Sequence, residues 1–500
     1  MKHLFFIILF CASMSAISQN HEIKIVQAQK MKGDKQIRKL YGAVILQHKN
    51  TTMHCDSAFL FAQKNIFKAF SNISIHDKSV TITADSLNYN SNTNFAQLRG
   101  DVTLTDKDMT LTTNHLDYNT QERIGHYFNN GTIVNKKDTL SSRIGLYYAQ
   151  NQDVFFKKNV ELINKEYTIT TDTLKYNTKS KISYFVGPTY IKNDTDLLYT
   201  ENGWYDTESQ VSQFFENSYI QSGSQYIYGS NLLYDRKKQI GIAKEHVILT
   251  DTSQKIEIHG KNGFYDEKNK HMFITDSALL IKEFNDDSLF LHADSIIYSR
   301  THTIEDSTEY FNLNAYYKVR FYSTDIQGVC DSLIYNSLDS VIMLCNTPIL
   351  WSDKHQLTGT KITLKTSHNK LSQIYINNNS FVVSEDTAKQ YNQMKGVELT
   401  GYITDNTLHK ITVAQQGNTI YYIRDDNELV GINKAISDSI TVLTENGKPQ
   451  QIIFKTKPTG TLYPPANLSA EEKILPGFSW HHHIRPLNKN DIYTWKKISE

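Results

Sequence analysis

The sequence predicts an all-β fold, a repetitive bent antiparallel stack of solenoid type, and three observations carry that prediction. The first is composition. Thirty Tyr and 23 Phe stand with abundant Thr, Ile and Asn, against only 8 Pro and 22 Gly in 500 residues, a balance that favours strands and turns over helices. The second is a period: a Tyr anchor recurs at Tyr89, Tyr118, Tyr147, Tyr176, Tyr205 and Tyr234, each 29 residues after the last. The third is that fixed offsets from this anchor keep a fixed chemical character, as they do in a repeat array.

The chain opens with an export signal. Lys2 and His3 precede the apolar run Leu4 to Ala12, and Ala16-Ile17-Ser18 places small residues where a signal peptidase reads. The expectation is a signal peptide over 1–18 with cleavage before Gln19. An uncleaved anchor is the alternative, although the run is shorter than the roughly 20 apolar residues of a membrane helix. A lipoprotein reading of Cys11 fails because Phe10 fills the place of a small residue.

The array is expected over 19–370. Leu60 fills the slot one period before Tyr89, and looser copies follow at Tyr265, Tyr298, Tyr335 and Leu364, eleven in all. Seven residues before the anchor lies an aliphatic, as at Ile82, Leu111, Leu140, Ile169 and Leu198. Five before it lies a small residue in every copy, among them Cys55, Ala84, Thr113, Gly229 and Cys330. Two before it most copies are apolar, as at Leu87, Leu116 and Leu174, and just after it come the turn formers Asn90, Asn119 and Asn177. The first two slots have one parity and the last two the other, so a flat strand cannot point all four inward. A bulge or sharp bend does, and the small residue suits a crowded inner corner. One copy cannot bury its inner face alone, so stacking supplies the stability. A leucine at the corner is expected to be costly, and one at Ser91, in a turn, nearly silent.

Beyond the array, residues 371–455 predict a terminal β subdomain, with turn signals at Asp405-Asn406, Asp425-Asp426-Asn427 and Asn446-Gly447. Residues 456–500 form a Pro-rich tail, expected to be extended or partly disordered.

Candidate chemistry is sparse. Lys+Arg 53 against Asp+Glu 52 leaves no basic excess and argues against a nucleic-acid partner. Asp-Ser pairs recur at Asp56-Ser57, Asp85-Ser86, Asp294-Ser295 and Asp331-Ser332, but no His keeps step with them, so they read as part of the repeat. Nucleophile elbows, zincin motifs and phosphate loops do not occur, and the expectation is a non-enzyme with no cofactor. His481-His482-His483 has no carboxylate or cysteine cluster beside it and reads as an incidental tract rather than a metal site. Cys330 and Cys345 flank the Ser337-Leu338 turn symmetrically, which leaves a disulfide open. The small-slot pattern explains Cys330 without a partner, so free thiols are favoured. The aliphatic and Tyr slots admit two readings, an ordinary packed core or an apolar groove wide enough for acyl chains.

The phrase Thr83-Ala-Asp-Ser-Leu-Asn-Tyr-Asn90 with Leu98-Arg-Gly-Asp-Val102, and the opening Leu40-Tyr-Gly-Ala-Val44, resemble the OstA/LptA-like lipopolysaccharide-transport family. The resemblance is clearest over 25–190, and the layout is similar to that of the long OstA-like proteins of Bacteroidetes-type bacteria. It implies a β-jelly roll or β-taco in the periplasm of a Gram-negative cell envelope, active in outer-membrane biogenesis. It implies a carrier or bridge whose interior holds the acyl chains of lipid A. The lining would be Ile82, Leu111, Leu140, Ile169, Leu198, Tyr89, Tyr118 and Tyr176, and the protein partners other transport proteins joined by edge-to-edge β pairing. A structural scaffold or adhesin with a dry core is the alternative, and a carbohydrate-active β-helix lacks the carboxylate cluster it needs.

Overall fold

A computed structural model describes residues 22–284, 287–303, 308–367, 370–387, 389–404, 407–426, 428–445 and 448–496. The expected signal peptide and the turn signals at 405–406 and 446–447 lie outside the described residues. The chain divides into two compact units, one of residues 1–194 with 204–208, the other of 195–203 with 209–500. Strand makes up 73% of the chain and helix 3%, and the strands pair antiparallel in sequence order. The all-β antiparallel fold read from composition and period is the fold observed.

In the first unit a 29-residue copy is a pair of strands, for example Ile66–Asp77 with Val80–Asn90, then Phe95–Asp106 with Met109–Asn119. In the next copy each strand is broken in two, Ile124–Tyr127 and Gly131–Asn135 with Asp138–Ser142 and Ile144–Tyr148. Two kinds of turn alternate. One is a two-residue connection whose first residue, Lys49, Lys78, Lys107 or Lys136, has φ between 53° and 56°. The other follows the anchor, where the Asn side chain takes a backbone N–H two residues on: Asn90 from Asn92 at 3.0 Å, Asn119 from Gln121 at 2.9 Å. These longer turns stack. The Ser91 N–H donates to the Asn65 carbonyl and the Thr120 N–H to that of Asn94, at 3.0 and 2.9 Å. Ser91 is therefore buried rather than open to solvent, and the expectation that a leucine is harmless there is corrected.

The bend lies where the slot parities require it. In Val80–Asn90 the side chains of Ile82, Ala84, Leu87 and Tyr89 are all buried, while Asp85 and Ser86 between them are not. The neighbouring strand carries the extra residue. Pairing jumps from Phe70↔Ser86 to Ile73↔Ala84, and Ser71 and Asn72 take left-handed φ of 64° and 52°. The same left-handed pair recurs at Gly42-Ala43, Gly100-Asp101 and Lys158-Asn159. The recurring Asp of the Asp-Ser pairs sits at this corner: Asn72 donates to Asp56 at 2.7 Å, and the Asp85 carboxylate lies where a Cβ on Gly100 would be, 2.3 Å from its Oδ2. A side chain at 100 would therefore collide as well as strain the backbone.

In the second unit the same construction runs from Val211–Ser222 to Glu428–Glu445. Left-handed pairs mark its corners at Glu216-Asn217, Glu245-His246, Asp276-Ser277 and Tyr317-Lys318, and continue at Asn378-Asn379 and Gln415-Gln416. Residues 371–455 are thus built as the array is, on longer strands. The Pro-rich tail, expected to be extended or partly disordered, pairs as the strand Thr459–Tyr463 and is then tied down. Between Pro464 and Lys496 it makes four short 3-10 turns and buries Leu468, Leu475, Ile484 and Ile492 against the outer face of the sheet. Cys55, Cys330 and Cys345 are free thiols; Cys345 stands opposite Ser332, two residues away from Cys330 in the register.

Candidate lipid-binding interior

Cross-strand pairing turns the slots of the repeat into rows. On the inner face of the first unit, Ile82, Leu104, Leu111, Ile133, Leu140, Leu162 and Ile169 stand opposite one another in succession. All are fully buried, so four of the five expected aliphatics share one continuous apolar strip. Leu198 is the fifth; it belongs to the second unit and is also buried. A second row carries the anchors. Tyr89, Tyr118, Tyr147 and Tyr176 alternate with Ala96, Gly125 and Val154 across successive strands. Small neighbours leave room for each ring to lie across the interior: the Cβ of a residue at 125 would already be 3.7 Å from Tyr118.

These tyrosines do more than fill space. The Tyr118 hydroxyl donates to Asp77 at 3.0 Å, that of Tyr147 to Asp106 at 2.6 Å, and that of Tyr176 to Asp138 at 3.3 Å. Tyr89 pairs with His48 at 2.7 Å. Each anchor ends its strand beside the long turn, whereas Asp77, Asp106 and Asp138 flank the two-residue turns at the other end of theirs. The bent strands therefore bring their two ends together, and a seam of phenol–carboxylate bonds joins the arms over the apolar strip. Arg123 adds a guanidinium 3.5 Å from Asp77. In the second unit Tyr298 donates to Asp251 at 2.6 Å, with Arg300 3.4 Å away.

The electrostatics follow from burial. Burial first, then Asp77, pushes the Tyr118 phenol far above its ordinary range; burial and then the bond to Asp106 do the same for Tyr147. Burial lifts Tyr89 to about 12. The phenols stay protonated and keep a proton to donate, which suits acceptors that are carboxylates. Burial raises Asp251, but its bonds from Tyr298 and Ser253, the Arg300 charge and the Gln254 N–H outweigh that and hold it below the usual range.

Sequence reasoning found the strip and the anchors but missed their acceptors. A signal existed: twelve residues before the anchor slot stand His48, Asp77, Asp106, Asn135 and Asn164 in successive copies. Among the described residues no cluster of three or more His, Cys, Asp or Glu is placed to hold a metal, and none of the helices is long and apolar enough to cross a membrane. In the tail tract the ring of His482 stacks on Trp480 at 6.0 Å.

Comparison with known proteins bears on this interior. No curated protein matches the chain. Among solved structures it is similar to LptH, the LptA homologous periplasmic component of the conserved lipopolysaccharide transport device from Pseudomonas aeruginosa. That likeness has 14% identity over 28% of this chain and 95% of that one, with a TM-score of 0.23. The family model described as OstA-like protein matches residues 17–172 and 168–227, the stretch that holds the strip and most of the tyrosine seam. Over residues 17–227 the chain is thus similar to the OstA-like family.

Proposed function

We propose that the protein serves lipopolysaccharide transport in the periplasm, without catalysis, and that acyl chains of lipid A are held on its apolar inner strip. The observation that carries this reading is the coincidence of the OstA-like match with a continuous strip running from Ile82 through Leu111 and Leu140 to Ile169. Such a strip is non-directional, and it suits a ligand whose binding grows by about 0.8 kcal/mol per buried methylene. The LptH comparison adds the chemistry of its title, a periplasmic part of a lipopolysaccharide transport device. Edge pairing with other transport proteins would use the backbone groups of the terminal strands, which β-augmentation needs.

One observation favours a second reading, a scaffold with a dry core. The interior is filled, with Ile82, Leu111, Tyr89 and Tyr118 at 0% exposure, and the seam joins the arms above them. In the carrier reading the seam opens to admit lipid; in the scaffold reading it never does. Photo-crosslinking separates them. A photoreactive amino acid is placed at Leu111 or Ile169, with the exposed turn positions Glu122 and Lys179 as controls, and cells making lipopolysaccharide are irradiated. Lipid adducts at the inner positions and not at the turns support the carrier. A folded protein without adducts at either inner position leaves the scaffold.

A further inference from the structure

The outer face of the second unit carries two cross-strand rows of its own. One passes through Tyr226, Thr250, Glu257, Ile281, Phe290, Tyr322, Gln327, Trp351 and Gln356 to Val383 and Gln393. The other passes through Tyr219, Tyr228, Ile248, His259, Leu279, His292, Arg320, Val329 and Ile349. The tail lies along these rows as a strap and is read through its backbone. Gln393 donates to the Lys473 carbonyl and accepts the Leu475 N–H, both at 2.8 Å. One copy away Gln356 does the same to Ser479 and His481, at 2.8 and 2.7 Å, six strap residues further on. Gln327 then accepts from Arg485 at 2.9 Å. Side chains anchor the strap between these points: Ile484 with Trp351, Phe478 with Tyr391, Tyr493 on His292.

The strap is described as far as Lys496, and its Lys489 and Tyr493 meet Phe290 and His292, but the rows go on. Opposite those two residues stand Ile281 and Leu279, then Ile248, then Tyr226, Tyr228 and Tyr219. Tyr228 is 37% exposed and the others half-buried. The rings form a platform: Tyr199 to Tyr219 at 5.4 Å, Tyr219 to Tyr228 at 5.5 Å, and Tyr226 with Tyr228 only 10° from parallel. The corresponding rows of the first unit show what solvent-facing positions of this repeat hold. They are mostly threonine, Thr81, Thr105, Thr110 and Thr139 in one row and Thr83, Thr103, Thr112, Thr132 and Thr170 in the other, with Val134, Ile163 and Tyr190 as scattered apolar members. The stretch from Tyr219 to Leu279, interrupted by Thr250, Glu257 and His259, thus keeps much of the apolar character of the strap-covered rows, and no strap lies over it among the described residues.

We propose that this stretch is a docking track for an extended segment of a partner protein, laid across the strands in continuation of the strap. The occupant shares the strap's chemistry: aromatic or aliphatic anchors about once per strand pair, with a basic residue to meet the half-exposed Glu257, which lies in the same row. The surface is a sheet face, so it is separate from any edge pairing and independent of whether lipid enters the interior.

The probe is a fluorescent synthetic peptide of residues 473–496, titrated into the purified full chain and followed by anisotropy. Saturable binding is expected, weakened at least tenfold by Tyr228→Thr with Leu279→Thr, which restore the residue type of the first unit's rows. Thr103→Tyr is expected to leave it unchanged. Circular dichroism checks folding, and Tyr226→Thr serves as a second variant if the double one fails to fold. Absence of saturable binding, or equal binding by the threonine variants, overturns the proposal. So does a photo-crosslinker at Leu279 that captures, in cells, an envelope glycan, a lipid, a second copy of this chain or its own residues 497–500. Adducts mapped to an extended aromatic segment of one other protein support it.

Discussion

Tyr147→Phe tests the seam most directly. The hydroxyl donates to Asp106 at 2.6 Å, Asp106 is 4% exposed, and its other oxygen has no hydrogen-bond partner among the described residues. Removing the donor takes away a hydrogen bond to a charged group, worth about 1.5–3 kcal/mol, and leaves a buried carboxylate without its donor. Asp106→Ala orphans the phenol instead and has a similar cost. The two residues act as one unit, so the double variant should resemble the worse single variant, with a coupling of at least about 1 kcal/mol. A repeat array of two compact units does not unfold in one step, so a global midpoint is the wrong readout. Native-state hydrogen exchange of the strands Phe95–Asp106 and Ile144–Tyr148 reads the local opening free energy. Single effects that add to within about 0.5 kcal/mol would refute the seam as a coupled contact. A second readout separates the functional readings: with a crosslinker at Leu111, Tyr147→Phe should raise the lipid yield of a carrier and leave a scaffold unlabelled.

The remaining predictions concern the corner, the thiols and the strap. Ala84→Leu and Gly260→Leu should each cost about 1–3 kcal/mol by overpacking, since a Cβ at 260 already meets Ile274 at 2.4 Å; Glu122→Leu on an exposed turn should stay within about 0.5 kcal/mol, and equal exchange rates for the three would overturn the corner. Alkylating the unreduced, denatured protein and weighing it should label Cys55, Cys330 and Cys345; labelling of Cys55 alone would mean a disulfide. In the native protein Cys55 should react slowly, because burial pushes its thiol up to about 11. Burial, then Arg320, pushes His292 down to about 4 against Asp294, and Tyr493 of the strap packs on it. The unfolded form binds the extra proton between those values, so stability at the strap end is full above about pH 6.5 and falls toward pH 4, by up to roughly 3 kcal/mol; strap exchange that ignores pH over this range would refute it. Gln356→Leu should speed exchange at His481 most, with little change at Ile82 in the other unit.

How much of this was legible depended on parity. The inner face was readable because Ile82, Ala84, Leu87 and Tyr89 cannot share a face of a flat strand, so the bend was required by the letters alone. Its location on the neighbouring strand was not readable, because the left-handed pairs vary from Ser71-Asn72 to Gly100-Asp101 and Lys158-Asn159: only the backbone conformation is shared, and Gly, Asn, Asp and Lys all serve it there. The Asp-Ser pairs read as part of the repeat, yet their task of receiving bulge side chains shows only in three dimensions. The strap was hidden by its own prolines, which describe the segment that carries them and not the surface it meets. The informative letters lay elsewhere, in rows where threonine gives way to Val329, Ile349, Trp351 and three glutamines; they face outward by parity, and no isolated row explains their choice.

In the carrier reading, seam and strip together would set a threshold for a lipid. Opening one phenol–carboxylate contact costs about 1.5–3 kcal/mol, while each methylene taken from water contributes about 0.8 kcal/mol. Two to four methylenes therefore offset one contact, and the copies are independent enough to open one at a time. A short apolar molecule lying under a single copy gains little beyond this. A long acyl chain crossing several copies opens several contacts but buries many more methylenes, so the margin grows with chain length. In the carrier reading the seam would thereby select long chains over short ones without any group that recognises a head. Tyr118→Phe, which removes the donor to Asp77, should lower that threshold and raise short-chain adducts more than long-chain ones. A uniform rise across chain lengths would show that the contact is a packing detail and not a gate.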